Sequence, residues 1–143
     1  MTNELFLIDT SVWLFSLRKN YIPEIKERVS HLLREERVVT TPVIKLELLG
    51  GTTKENEFQR LKDRLDAIQC VEMDTSVWER AYGLAFKTRR SGITIPYIDV
   101  LIAACSLASH ATLVHADTHF DLLSEPFGLK TESLVQTVRD AAQ

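Results

Sequence analysis

Apolar residues fall into short bursts of strand length, separated by longer stretches in which they recur at helical spacing. ELFLI (4–8) is the first burst. Asp9-Thr10-Ser11 breaks it, a trio that ends a buried strand and offers an N-cap to the following VWLFSLRK helix. Pro23 suits the first turn of a second helix running to Glu36, with Ile25, Val29, Leu32 and Leu33 on one face. RVVTT (37–41) reads as a strand, and Thr41-Pro42 starts a VIKLELL helix that Gly50-Gly51 stops. Lys54–Asp66 forms a polar helix with Phe58, Leu61 and Leu65 aligned. AIQCVEM (67–73) is a strand, and Asp74 or Ser76 opens a helix through Ser91, Ser76 and Glu79 having capping-box spacing. The run 93–110 passes through Pro96 into a strongly apolar helix. ATLVHA (111–116) is a strand, DTHFDLL a helical turn, LKT (129–131) a short strand and 133–142 a closing helix.

Strands alternating with helices predict an α/β fold, a central, mainly parallel sheet flanked by helices on both faces. No repeat, linker or biased segment interrupts it, so residues 1–143 are expected to form one domain. In such sheets a ligand site lies beyond the carboxyl ends of the strands, near a topological switch point.

Composition narrows the function classes. The 143 residues are 45% hydrophobic and 26% charged, as in a soluble globular protein rather than a disordered or fibrous one. With a formal net charge of −3, binding to a polyanion would need a local patch or a bound metal. No apolar stretch approaches membrane-spanning length, and an N-terminus carrying Glu4 and Asp9 without a basic region is not a signal peptide. Cys70 and Cys105 sit in separate apolar runs, which suggests two core thiols in a reducing cytoplasm.

The acids carry the chemistry. Asp9 and Asp117 each follow a predicted strand, Glu47 lies about two turns into the helix after RVVTT, and Asp99 lies in the first turn of the apolar helix. Singly, Asp9 and Asp117 read as N-caps and Glu47 as a solvent-facing helix residue. Asp99 resists such a reading. It is the one charge in IPYIDVLIAACSLA (95–108), with no Lys or Arg within a helical turn, and a buried unpaired carboxylate needs a cation. Four converging acids would raise one another's pKa unless a divalent ion compensates. All-oxygen ligation suits Mg²⁺ or Mn²⁺. Such a centre binds phosphate oxygens, activates water and stabilises charge in phosphodiester displacement.

LIDTSVWL, the isolated Glu47 in VIKLELLGG, IPYIDVLIAACSLA and VHADTHFDLL together resemble the PIN-domain ribonucleases, and most closely the VapC-type toxins of bacterial toxin–antitoxin pairs. The resemblance spans nearly the whole chain. It implies a PIN-like three-layer fold and a Mg²⁺-dependent endoribonuclease, with Mn²⁺ as a possible substitute. It carries over Asp9, Glu47, Asp99 and Asp117 as the acidic site: Asp9 and Asp99 as direct metal ligands, Glu47 and Asp117 directly or through water, with Asp117 kept in the ligand set. Ser11 would orient Asp9 or a bound water. It further implies an RNA substrate, a cognate antitoxin covering the acidic groove, and a homodimer. One departure is His115, where many relatives have Thr or Ser; it would touch substrate phosphate or cap the strand end.

Other residues have plainer readings. Asp121, four after Asp117, is a spare ligand or a solvated acid. Arg18 and Lys19, one helix after Asp9, are placed to hold substrate near the metal. Lys87, Arg89 and Arg90 end a helix where they complement its dipole or contact phosphates. Trp13 and Phe15 are core or dimer contacts. His31, His110 and His119 lack mutual metal-ligand spacing and default to packing or surface roles. Two rivals stand beside the nuclease reading. A haloacid dehalogenase-type phosphatase would want an acid where Ser11 stands, and a silent PIN-like binding module would have no need of Asp99 inside an apolar helix.

Overall fold

The computed structural model describes residues 4–143, and these form five strands and eight helices. In chain order they are β1 (Phe6–Ile8), α1 (Thr10–Leu17), α2 (Pro23–Arg34), β2 (Val38–Thr40), α3 (Pro42–Gly50), α4 (Glu55–Asp66), β3 (Gln69–Cys70), α5 (Thr75–Arg90), α6 (Tyr97–Ser109), β4 (Thr112–His115), α7 (Thr118–Ser124), β5 (Thr131–Ser133) and α8 (Val135–Ala141). The sheet order is β3-β2-β1-β4-β5 and every pairing is parallel. The three inner strands are buried along their length, as strands covered on both faces must be. With right-handed crossovers, a chain that first steps outward to β3 and then returns past β1 places its helices on both faces. The alternating pattern in the sequence thus gives the expected α/β architecture.

The return past β1 creates the switch point. β1 and β4 are sequence-distant neighbours, Ile8 pairing with Val114, so the loops leaving their carboxyl ends must diverge to opposite sides and leave a crevice. Asp9 N–H donates to Val114 O at 2.9 Å, which extends the ladder one residue beyond β1 and brings Asp9 against the end of β4. Beneath it, Leu7, Ile8, Leu113, Phe120 and Leu123 are fully buried.

Several local expectations shift. The strand predicted over 67–73 is shorter, its register pairs being Gln69 and Cys70 at the exposed sheet edge with one further bond from Val71 N to Thr40 O at 2.8 Å, while Ile68, Val71 and Met73 pack against the core. Cys70 is accordingly exposed, whereas Cys105 is buried against Thr41 and Met73. The last strand begins at Thr131, not Leu129; Leu129 instead turns into the core. Asp74 caps α5 by accepting from Val77 N, which leaves no role for the Ser76–Glu79 capping box. Trp13 is core, as one of its two readings had it. No helix of the described residues is long and apolar enough to cross a membrane.

Candidate functional site

Asp9 is the N-cap of α1 and only 4% exposed. Its Oδ2 accepts the backbone N–H of Ser11 at 3.0 Å and the Ser11 hydroxyl at 2.6 Å. The same hydroxyl accepts from Ala116 N at 3.0 Å, so Ser11 ties the end of β1 to the residue following β4. The N-cap and site readings of Asp9 therefore coincide: capping fixes one carboxylate oxygen and leaves Oδ1 with no donor among the described residues. Burial pushes the carboxyl up to about 6; the Ser11 bonds oppose this, and the charges of Asp99 and Glu47 add to it.

Asp117 is built alike. It caps α7, its Oδ1 accepting from His119 N at 2.9 Å. Asp99 stands in the first turn of α6 with its side chain 16% exposed. Burial raises its pKa, the charge of Asp117 raises it further, and contact with His119 pulls the other way. Glu47 lies exposed on α3, where Thr10, the first residue of α1, donates its hydroxyl to Oε1 at 2.7 Å. The four predicted acids thus gather at one end of the sheet from α3, α6 and the carboxyl ends of β1 and β4. Among the described residues, none of the four forms an ion pair with a lysine or arginine.

The cation-capable partner that Asp99 requires is His119, which the sequence reading assigned to packing or surface. Its Nδ1 lies 3.0 Å from Asp99 Oδ2 and 3.2 Å from Asp117 Oδ1. The three side chains offer ligand atoms all within 4.8 Å of one another, a spacing that a metal ion could bridge. Spacing to other histidines was the wrong signal, since the partners are acids. The legible signal was His119 two residues after a strand-end Asp. Thr10 was missed likewise, although its place beside Asp9 put it at the same strand end.

His115, the last residue of β4, is fully buried against the Phe120 ring. Its Nδ1 accepts from Asp117 N at 3.3 Å, which fits the strand-capping reading rather than phosphate contact. Burial lowers its pKa, so the ring is neutral with the proton on Nε2. That nitrogen lacks a hydrogen-bond partner, the nearby Asp121 Oδ1 standing 3.4 Å away. Asp121 itself is exposed. Arg18 is not brought to the acids: it caps the far end of α1, about 12 Å along an eight-residue helix, and lies over the Phe15 ring. A groove of about 770 Å³ bounded by Trp13, Leu17, Val29, Leu33, Leu61 and Ile68 includes none of the four acids.

Clustered oxygen donors, two of them largely covered and none paired with a lysine or arginine among the described residues, fit a hard divalent cation. Comparisons with known proteins identify the family and the fold. Residues 6–126 match the family model described as PIN domain. Ribonuclease VapC11 of Mycobacterium tuberculosis is 31% identical over 133 residues, covering 90% of this chain and 98% of that protein. The fold resembles VapBC2 from Rickettsia felis, solved bound to a DNA fragment from its promoter, with TM-score 0.75, 18% identity and coverage of 90% and 98%. It also resembles VapBC-5 from Mycobacterium tuberculosis, a member of a family of toxin–antitoxin systems, with TM-score 0.61, 19% identity and coverage of 90% and 96%. The chain belongs to the PIN domain family and, within it, to the VapC ribonucleases.

Proposed function

We propose that this protein is a Mg²⁺-dependent endoribonuclease, acting in the cytoplasm as the toxin of a toxin–antitoxin pair. The observation that carries the reading is the convergence of Asp9, Glu47, Asp99 and Asp117 at the β1/β4 switch point with no lysine or arginine paired to them among the described residues. The ribonuclease names of its relatives give the substrate class.

Asp9, Asp99 and Asp117 would hold the metal, for which Mn²⁺ could substitute. When bound, the ion supplies charge for the scissile phosphate and acidifies a water. Ser11 holds Asp9 Oδ2 and leaves Oδ1 to face the site. Thr10 holds Glu47 Oε1, so Oε2 stays free on the solvent side to take the proton of the attacking water. His115 fixes the backbone amide of Asp117 from below. These contacts orient the acids before substrate arrives, so less reorganisation is needed at the moment of reaction.

An antitoxin covers this acidic site, in keeping with the toxin–antitoxin neighbours. A second copy of the chain binds along α5, where Trp78, Tyr82 and Phe86 recur four residues apart and the last two are 60% and 63% exposed. An apolar stripe of this kind is self-complementary about a two-fold axis.

The deciding experiment compares wild type with Asp99→Asn on RNA in Mg²⁺ and in Mn²⁺. Cleavage is expected to fall by at least about 10²–10³-fold, the scale of losing one transition-state contact, while the fold persists by circular dichroism. Wild-type cleavage by the variant refutes the site assignment, and RNA binding without cleavage by the wild type would support a silent binding module.

A further inference from the structure

We propose that His119 is a metal ligand of this site through Nδ1, a nitrogen donor that makes the centre favour Mn²⁺ and later transition ions over Mg²⁺. The inference rests on the metal reading above and adds a donor that the four-acid set lacks.

The geometry comes first. Donor atoms in adjacent positions of an octahedral ion with bonds of about 2.1 Å lie about 3.0 Å apart. Nδ1 of His119 stands 3.0 Å from Asp99 Oδ2 and 3.2 Å from Asp117 Oδ1. The His119 amide donates to Asp117 Oδ1 at the start of α7, which holds that carboxylate over the turn from which the His119 side chain projects. Among the described residues nothing else claims the ring, Nε2 having no partner there. A separate observation concerns the neighbouring acid: Asp9 is nearly fully buried, its Oδ1 has no donor among the described residues, and the Asp99 charge acts on it.

The chemistry follows from donor type. Mg²⁺ dehydrates reluctantly and takes oxygen ligands, whereas imidazole suits the transition ions, with affinity rising from Mn²⁺ towards Cu²⁺. A site of carboxylates alone has little means of separating Mg²⁺ from Mn²⁺. One imidazole supplies it.

The test uses the full chain, titrated calorimetrically with Mg²⁺ and with Mn²⁺ as wild type, His119→Ala and Asp99→Asn, with the Mn²⁺-loaded proteins measured by electron spin echo envelope modulation. His119 is 39% exposed in its side chain, so the alanine variant should keep its melting temperature. We expect imidazole ¹⁴N modulation in wild type that vanishes in His119→Ala. Mn²⁺ affinity should fall about ten- to a hundredfold and Mg²⁺ affinity by less than about threefold, on the scale of known ligand-shell losses. Absence of imidazole modulation in wild type overturns the proposal, as does unchanged Mn²⁺ affinity in the variant. An equal loss of both ions also overturns it, because His119 would then only position Asp99 and Asp117. If wild type binds neither ion, the metal reading itself fails; if wild type binds and Asp99→Asn does not, that reading stands whatever His119 does.

Discussion

Replacing Asp9 by Asn should stabilise the metal-free protein at neutral pH, an unusual outcome for a buried polar residue at a helix start. The reason lies in the sign of its pKa change. The Asp9 carboxyl is raised from 3.8 to about 6, chiefly by burial, so between those values the folded state binds more protons than the unfolded chain. Stability therefore falls as pH climbs through that window and levels off above it. At about 1.4 kcal/mol for each tenfold change in proton affinity, the ionised folded state is disfavoured by about 3 kcal/mol. Asn removes the charge and keeps an amide oxygen, which can take both Ser11 bonds and serve equally well as an N-cap. The variant also removes the repulsion from Asp99 and Glu47, whose charges now add to the strain on Asp9.

The measurement is urea unfolding in EDTA from pH 4 to pH 8. Wild type and Asp9→Asn should have nearly equal stability at the acid end and diverge to about 3 kcal/mol by pH 7.5, on the order of 10 °C in melting temperature for a chain of this size. Asp99 is raised as well, so the variant should retain a weaker slope of the same sign. Saturating Mn²⁺ should reverse the order: at a thousand times Kd it adds about 4.1 kcal/mol to wild type, more than the gap of about 3 kcal/mol, and little to the variant. A variant less stable than wild type at pH 7.5 in EDTA, or a difference that ignores pH, would show that Asp9 is not a destabilised carboxylate awaiting a cation.

Other consequences can be checked with the same preparations. Ser11→Ala strips one donor from Asp9 and the acceptor from Ala116 N–H, and should cost about 1–3 kcal/mol in urea unfolding; a loss under about 0.5 kcal/mol would mean the β1–β4 tie is unimportant. Phe120→Ala empties a fully buried position beside the His115 ring, with an expected cost of about 3–5 kcal/mol; a much smaller loss would show that the core beneath α7 collapses freely. If the exposed α5 stripe carries the self-association proposed above, wild type should run as a dimer by light scattering and Tyr82→Glu as a monomer; a monomeric wild type or an unchanged mass in the variant refutes that proposal.

What the sequence made legible divides along a physical line. Periodicity exposes elements buried on a consistent face, so β1, β2, β4 and the long helices fall close to their expected places. Where an element is an edge, periodicity misleads: AIQCVEM is apolar enough for a seven-residue strand, yet its register pairs are only Gln69 and Cys70. The acids were legible because a strand followed at once by Asp, in a parallel sheet, leaves few places for that Asp to be. Asp99 stood out because its helix looked apolar on every side. That premise was too strong, since Tyr97 is 74% exposed and Ile98 is also open to solvent, but the carboxylate itself is largely covered and the demand for a partner was sound. The partner lay twenty residues onward, across β4 in the first turn of α7, a distance that helical spacing cannot bridge. Only the fold, by placing the α6 and α7 N-termini side by side at the sheet's carboxyl edge, brings a histidine with no ligand-like spacing to within 3.0 Å of Asp99. A sequence can thus show that a charge is uncompensated; the sheet order decides which residue compensates it.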